Sequence, residues 1–490
     1  MPTPHTKEGL LWTPSTTTEG LSTFSIHPSS PHPQPHYDVI VVGAGFAGLI
    51  TARDLSQTHR LNVLLLEARD RIGGRTWTAN VLGEEIEMGG TWVHWAQPHV
   101  YTELHRYGLH RNLKTSAGTV APETVSFKSS GVVGSMREVL ERVAQRVFSI
   151  DGLDSRGLMP YPHDPVREAP WKRYDCLSVR DRLDALDDGD VSEWEKELFE
   201  SNVSTFGSAS GREIGFVEAL RWYALGGYSM TGVFELAAVF KLGDGGMTGF
   251  AGKVLEEFTG DRVYETVVEE IREVGGWNGV EVGTKDGRLW RAKSVVSTIP
   301  LNCLGDIKFT PPLPTLQQEA IRNGHINKGA KIHLKLRETL PGWFWTGSGH
   351  GNSSFMFAFS DHNGTQPSGP AGTWCIGFGY NGKLVDKRDS RHIVEEFRRN
   401  VNPDVHVDAY ATHDWMNDPY AKGAWACWGP NAASKYLQAL QQHRGRIVFA
   451  SADWADGWRG FVDGAIEQGH AAVRETVRLL KEQELNLARL

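Results

Sequence analysis

Apolar positions first fall into a regular pattern at Tyr37, where YDVIVV gives an unbroken run of strand length before GAGFAGLITARDL, a glycine turn running into helical periodicity. LNVLLLEA then supplies a second buried strand ending at Glu67. Strand, glycine turn, helix and strand in that order open an α/β unit built on a parallel sheet. Further along, DRVYETVVEEIREV and GVEVGTKDGRLWRAKSVVSTIP read as strands, with KDGR as a hairpin turn and Pro300 as a stop. KIHLKL, SSFMFAFS and TWCIGFGY form a later group of strands, and RIVFA is a final buried one. Helices are predicted over 134–148, within 165–200, in GREIGFVEALRWYALGG, after FTPPLPT, over 391–399 and in the terminal FVDGAIEQGHAAVRETVRLLKEQ. Residues 1–35, rich in Pro, Ser, Thr and His, read as an extended arm lying along the surface without forming a core. No fixed-period repeat interrupts this order.

At 490 residues the chain exceeds one ordinary hydrophobic core, so two large or interleaved domains are expected. The 51 basic residues form no block and are outnumbered by 59 acidic ones, which gives no nucleic-acid footprint. Cys176, Cys303, Cys375 and Cys427 are far apart, a spacing that fits free thiols in a reduced intracellular compartment; no metal site is assigned. The amino-terminal segment lacks a secretory pattern, and no run of 18 apolar residues offers a membrane anchor. Seventeen tryptophans, many beside glycines in GGTWVHW, GAWACW and ADWADGW, suit the walls of a ligand cavity or the filling of a large core.

The strongest local motif is Gly43-Ala44-Gly45-Phe46-Ala47-Gly48. Gly43 permits the tight turn, Gly45 leaves room for a pyrophosphate, Gly48 lets the helix pack close, and the helix N-terminus supplies N–H donors. Glu67 ends the next strand, where a carboxylate accepts hydrogen bonds from a ribose diol. These features do not separate NAD from FAD. The next segment, Glu67-Ala68-Arg69-Asp70-Arg71-Ile72-Gly73-Gly74-Arg75, resembles the glycine-arginine extension of amine oxidases and related FAD oxidoreductases. Its glycines let the chain pass near the cofactor, and Arg71 and Arg75 can neutralise phosphate or fix neighbouring carboxylates.

EMGGTWVHW at 87–95, STIP at 297–300, AKGAWACW at 421–428 and FASADWADGWRGFVDGAIEQG at 449–469 extend the likeness over nearly the whole chain. The sequence is similar to the flavin-containing monoamine oxidases, most of all the soluble ones of filamentous fungi. The resemblance implies an α/β fold of the glycine-arginine amine oxidase type, an FAD-binding Rossmann-like domain interleaved with an α+β substrate domain. The expected FAD-binding parts are 36–115, 250–305 and 440–490, and the substrate parts 116–249 and 306–439. It also implies that Gly89, Gly90, Thr91 and Trp92 approach the isoalloxazine and that Val268 makes a backbone contact on the adenine side. Asp453 would hold the ribityl or diphosphate region through intervening donors, and Gly464 and Ala465 would aim helix N–H groups at the flavin pyrimidine. Ala424 stands where the membrane-bound relatives carry their flavin-linking cysteine, and Cys427 is at the wrong offset, so FAD is expected to be noncovalent.

By the same resemblance Trp425 and Phe461 form an aromatic cage, and Lys331, with Lys328 as its rival, holds a water near flavin N5. His94, His325 and His333 are expected to pack or hydrogen-bond, not to act as bases. The implied reaction takes a hydride equivalent from the carbon bearing a neutral amine, leaving an imine that water hydrolyses, while oxygen is reduced to hydrogen peroxide. Direct hydride transfer and an amine adduct both remain open. Alternatives are a polyamine or amino-acid oxidase on this scaffold, or a noncatalytic flavoprotein or interaction protein. Ala488-Arg489-Leu490 resembles a peroxisomal address read by an import receptor, and a homodimer follows from family likeness.

Overall fold

The computed structural model describes residues 3–487 apart from 121, 129–135, 188, 276–278, 350–351 and 366–370, with backbone only at 484, 486 and 487. The terminal Ala488-Arg489-Leu490 therefore lies outside the described residues. Two eight-stranded sheets organise the chain. The first runs Asp261–Val263, Val63–Leu66, His36–Val42, Leu289–Ser297, Gly279–Thr284, Val268–Val274 and Lys308–Thr310, with Ile447–Phe449 added beside the end of Leu289–Ser297. Its left half and the added strand are parallel. Strand His36–Val42 is covered on both faces: Ile40 and Val42 enter one core, Val39 and Val41 the other, which explains its unbroken apolar run. The carboxyl ends of these parallel strands bring Gly43, Glu67, Thr298 and Ser451 to one rim, where open α/β sheets bind ligands.

Helix Phe46–Gln57 lies against the terminal helix Val462–Leu487, and a Cβ at Gly469 would come within 2.9 Å of the Ala47 carbonyl. On its other side lies helix Gly246–Glu256, with Phe250 4.7 Å from Phe46. This helix was not expected, because its three glycines weaken the local preference; the packing of Met247, Phe250 and Val254 into the core outweighs that cost.

The second sheet runs Thr16–Glu19, Leu10–Thr13, Val407–Thr412, Ala330–Leu336, Trp374–Gly379, Phe355–His362, Trp343–Thr346 and Thr124–Phe127. The first sheet thus draws on 36–66, 261–310 and 447–449, and the second on 10–19, 124–127 and 330–412. The amino-terminal arm corrects the expectation that it only lies along the surface. Its hairpin pairs antiparallel with Val407–Thr412, covering an edge that would otherwise leave ladder groups open, and Leu10 and Leu21 are buried in separate cores. The four cysteines are free, with Cys176 exposed and the other three buried. Among the described residues no helix is long and apolar enough to cross a membrane.

Between the arm and the glycine-arginine segment stands a buried charge cluster. Glu8 pairs with Arg69 and accepts from Arg71 Nε at 2.7 Å, while Arg69 also pairs with Asp418 at 2.8 Å. Burial opposes the Glu8 charge, but Arg71 and Arg69 outweigh it and hold the carboxyl at about 2. Glu8→Ala leaves Arg71 buried without its acid and is expected to cost about 3–5 kcal/mol at neutral pH. Because the folded value is depressed, this contribution is present above the unfolded value of 4.5 and lost as pH falls through about 2. Chemical denaturation of both proteins from pH 7 to 2 should therefore show the gap closing in acid; a constant gap would place the loss in packing.

Candidate functional site

A cavity of about 730 Å³ runs from the rim of the first sheet to the second, and its walls hold most of the residues singled out by sequence. At the first end Gly43 adopts φ 107°, and a Cβ there would meet Thr298 Oγ1 at 2.5 Å. Gly45, Phe46 and Ala47 line the cavity at the start of helix Phe46–Gln57, where Gly45 supplies no side-chain cap. The first N–H groups are thus left for an anion. Gly48 does not line the cavity: a Cβ on it would fall 1.8 Å from the Gly43 carbonyl, so it serves the turn's packing. Gly73 donates to the Ala44 carbonyl at 2.9 Å, and Gly74 reaches the cavity beside Gly45.

Glu67 is buried, with Oε2 accepting the Ala44 N–H at 2.6 Å and Oε1 the Arg69 N–H at 2.8 Å. These two bonds orient the carboxylate while leaving each oxygen a further lone pair for a diol. Ala68 and Val268 also line this end. Arg69 lines it too, but its guanidinium pairs with Glu8 and Asp418, and Arg71 is buried against Glu8 and the Gly74 carbonyl. Both arginines fix neighbouring carboxylates and hold the glycine segment; neither guanidinium is free to meet phosphate.

In the middle of the cavity Arg75 donates through Nη1 to the Ala424 carbonyl at 2.9 Å and through Nη2 to Asp453 Oδ1 at 2.6 Å. Asp453 is fully buried, lies behind the lining, and accepts the Leu301 N–H on Oδ2 at 2.8 Å. Burial works against its charge, but Arg75 and His325 outweigh it and keep the carboxyl below its usual value. Its reach toward any ligand runs through Arg75. Gly89, Gly90, Thr91 and Trp92 form part of the wall. Of the helix start, Gly464 lies behind the lining, where a Cβ would meet the Trp458 carbonyl at 2.3 Å, and Ala465 lines the cavity with its N–H already donated to Phe461 at 3.1 Å. Val462, the first residue of the helix, lines the cavity in their company.

Lys331 comes from the all-buried strand Ala330–Leu336. Its Nζ lies 2.7 Å from the Glu87 carbonyl, 2.9 Å from the Gly89 carbonyl and 2.5 Å from Thr91 Oγ1, facing the Trp92 ring at 5.0 Å. Burial pulls the amine down to about 7, with Glu87 opposing. Lys328, the rival, is not part of the cavity wall. His333 is buried and bonds the Glu87 carbonyl, His325 and His94 lie outside the lining, and burial lowers the basicity of all three.

Trp425 and Phe461 both line the cavity. Trp425 Nε1 donates to the Phe206 carbonyl at 2.7 Å; Phe206 stacks on Trp222 at 4.5 Å, and Trp222 lies 4.8 Å from Phe461. An arc of rings therefore braces the two against each other's positions. Phe206 and Trp222 were missed by sequence reasoning, as were Asn202, Thr346, Phe357 and Phe378 on the same wall. The only signals were the aromatic helix after GREIG and the alternate phenylalanines of SSFMFAFS. Cys427 is buried outside the lining, with its thiol pushed well up by burial; Cys303 lines the cavity with its thiol pushed up to about 12.

Residues 46–477 match the family described as flavin containing amine oxidoreductase. The chain is 32% identical over 459 residues to a pseudooxynicotine dehydrogenase of Pseudomonas sp, covering 92% of this chain and 88% of that one. It is 28% identical over 480 residues to flavin-containing amine oxidase B of Bos taurus, covering 90% and 86%. Among solved structures, a putrescine oxidase variant from a redesign of cofactor binding superposes with a TM-score of 0.74 at 18% identity, over 91% of this chain and 99% of that one.

An unfolded lysine stays protonated up to about 10.4, whereas buried Lys331 gives up its proton near 7. Folding therefore sheds a proton between these values, and the lysine's contribution to stability rises with pH across that window and is least favourable below it. Lys331→Met removes the titration. The difference in Tm, variant minus wild type, is expected to be most favourable to the variant near pH 7 and to decline toward pH 10; a flat difference would mean that Lys331 stays charged.

Proposed function

The chain belongs to the flavin-containing amine oxidoreductase family, and we propose that it oxidises primary monoamines, with secondary ones of similar shape, using noncovalent FAD and molecular oxygen. The observation that carries the substrate class is the division of the cavity wall. Its acidic residues, Glu67, Glu269 and Asp306, belong to the first sheet and its connections, whereas the second half is built from Phe206, Trp222, Phe357, Phe378, Trp425 and Phe461. Among the described residues this aromatic half has no carboxylate to hold the far ammonium of a diamine and no arginine for an α-carboxylate. Apolar monoamines fit it best, as in the soluble filamentous-fungal enzymes the sequence resembles. The pseudooxynicotine, putrescine and monoamine relatives mark the neighbouring choices.

The residues present fit FAD. The glycine turn at Gly43 and Gly45 and the open start of helix Phe46–Gln57 would hold the pyrophosphate, Glu67 the ribose, and the wall from Gly89 to Trp92 the ring system. Ala424 on the wall has no sulfur and Cys427 is buried behind it, so neither supplies a thioether, in keeping with noncovalent binding. Bound FAD supplies the acceptor for a hydride equivalent from the carbon next to the amine nitrogen and passes the electron pair on to oxygen. The chain's own task is placement: Trp425, pinned through Nε1, and Phe461, braced by Trp222 and Trp458, exclude water and align that carbon. Nζ of Lys331 is poised to hold or release a proton near neutrality beside Thr91. Water then hydrolyses the imine to a carbonyl compound and ammonia or a smaller amine. Peroxisomal import through Ala488-Arg489-Leu490 and a homodimer belong to the same reading.

Anaerobic stopped-flow absorbance with n-alkyl monoamines, benzylamine, putrescine and amino acids tests the substrate class. Monoamines are expected to bleach the oxidised flavin band fastest; bleaching by putrescine or amino acids alone would transfer the assignment to those classes, and no bleaching by any would remove it. Trp425→Ala is expected to lower kcat/KM for monoamines on the order of 10²-fold through lost alignment. Unchanged kcat/KM in the variant would take Trp425 out of the substrate site.

A further inference from the structure

One group of titratable side chains, centred on a buried carboxylate, takes no part in the cavity. His99, from helix Pro98–Arg106, and Asp463 and Glu467, from the first turns of helix Val462–Leu487, each offer a ligand atom, all within 4.8 Å of one another. Asp463 and Glu467 are four residues apart and share a helix face. Asp463 is fully buried; Oδ1 accepts the Val100 N–H at 2.8 Å, while Oδ2 has no hydrogen-bond partner. Glu467 accepts the N–H groups of Asp456 and Gly457 at 2.8 and 3.1 Å, which fixes its carboxylate, while burial pushes its carboxyl above the ordinary value.

What distinguishes this group, among the described residues, is that neither Asp463 nor Glu467 forms an ion pair with a lysine or arginine; Arg459 acts on Glu467 only from further away. The other trio of similar geometry, Glu8, His413 and Asp418, is neutralised by Arg69 and Arg71. The charge that acts on Asp463 is instead Glu467, and the one that acts on Glu467 is Asp456. A buried carboxylate oxygen with no donor is costly unless a proton or a metal ion completes it. Two carboxylates and an imidazole are a hard-to-borderline donor set suited to zinc or manganese. His163 stands beside them: a Cβ on Gly457 would meet His163 Nδ1 at 2.6 Å and Glu467 Oε2 at 3.1 Å, so the glycine keeps that imidazole next to the carboxylate.

We infer that His99, Asp463 and Glu467 form a binding site for a divalent cation of the zinc or manganese class. Burial, together with His470, His163 and Arg474, keeps the His99 imidazole neutral at physiological pH, the form that ligates. The ion would tie helix Pro98–Arg106 to the start of helix Val462–Leu487, whose Val462 and Ala465 flank Asp463 on the cavity wall. From sequence the site is invisible, because His99 lies far along the chain from the two acids.

The test uses tag-free holoprotein, stripped with a chelator and dialysed, then titrated with Zn²⁺ and separately with Mn²⁺ by calorimetry, with Tm followed in parallel. One saturable equivalent of at least one ion, accompanied by a rise in Tm, is expected. Asp463→Asn keeps an oxygen for the Val100 N–H, and His99→Gln changes a half-buried side chain; each should weaken binding by at least the roughly 10–100-fold that loss of an outer partner costs. Absence of saturable binding of either ion overturns the inference. So does affinity unchanged in His99→Gln, a variant that remains decisive should Asp463→Asn fail to fold.

Discussion

The candidate site depends on one buried ion pair. Arg75 and Asp453 are separated by most of the chain, yet their 2.6 Å contact joins four segments. Asp453 follows strand Ile447–Phe449 and takes the N–H of Leu301, which follows Leu289–Ser297; Arg75 ends the glycine segment and holds the carbonyl of Ala424, next to Trp425. The same pair thereby fixes the rim of the first sheet and the base of the aromatic wall. Each partner charge is met by the other and by these backbone groups, so the arrangement is over-determined, as a preorganised site requires.

Around this pair the molecule applies one solution repeatedly: charged side chains at or near the cavity are used to hold backbone and one another in place. Arg69 and Arg71 clasp Glu8 and Asp418 behind the glycine segment; Lys331 binds the carbonyls of Glu87 and Gly89. A large planar cofactor needs close backbone approach on one side and a dry, apolar space for substrate on the other, and tying the charged side chains to backbone and to one another serves both needs.

The parts of the fold legible in the sequence are those whose signal is local. The glycine turn, the two strands around it, the hairpin at Lys285–Arg288 and the terminal helix each declare themselves within a short window. Gly43, Gly45 and Glu67 were readable for the same reason. Phe206 and Trp222 were not, because a ring that lines a cavity and a ring that fills a core have the same periodicity, and only their stacking beside Trp425 and Phe461 separates them. Glu8 was hidden in an arm of loop-like composition whose value lies wholly in its distant partners Arg69 and Arg71. At Gly464 the structure adds what the motif alone does not show, a close approach of the chain to the Trp458 carbonyl that leaves no room for a Cβ.

The account turns on where the electrons go, since one relative of this chain is a dehydrogenase and another an amine oxidase. The most direct measurement is oxygen uptake by the purified FAD-loaded enzyme with a simple monoamine, with peroxide and carbonyl product quantified in the same vessel. The account predicts equal amounts of oxygen consumed, hydrogen peroxide formed and amine converted. Amine converted only when an artificial electron acceptor is supplied, with no oxygen uptake, would contradict it.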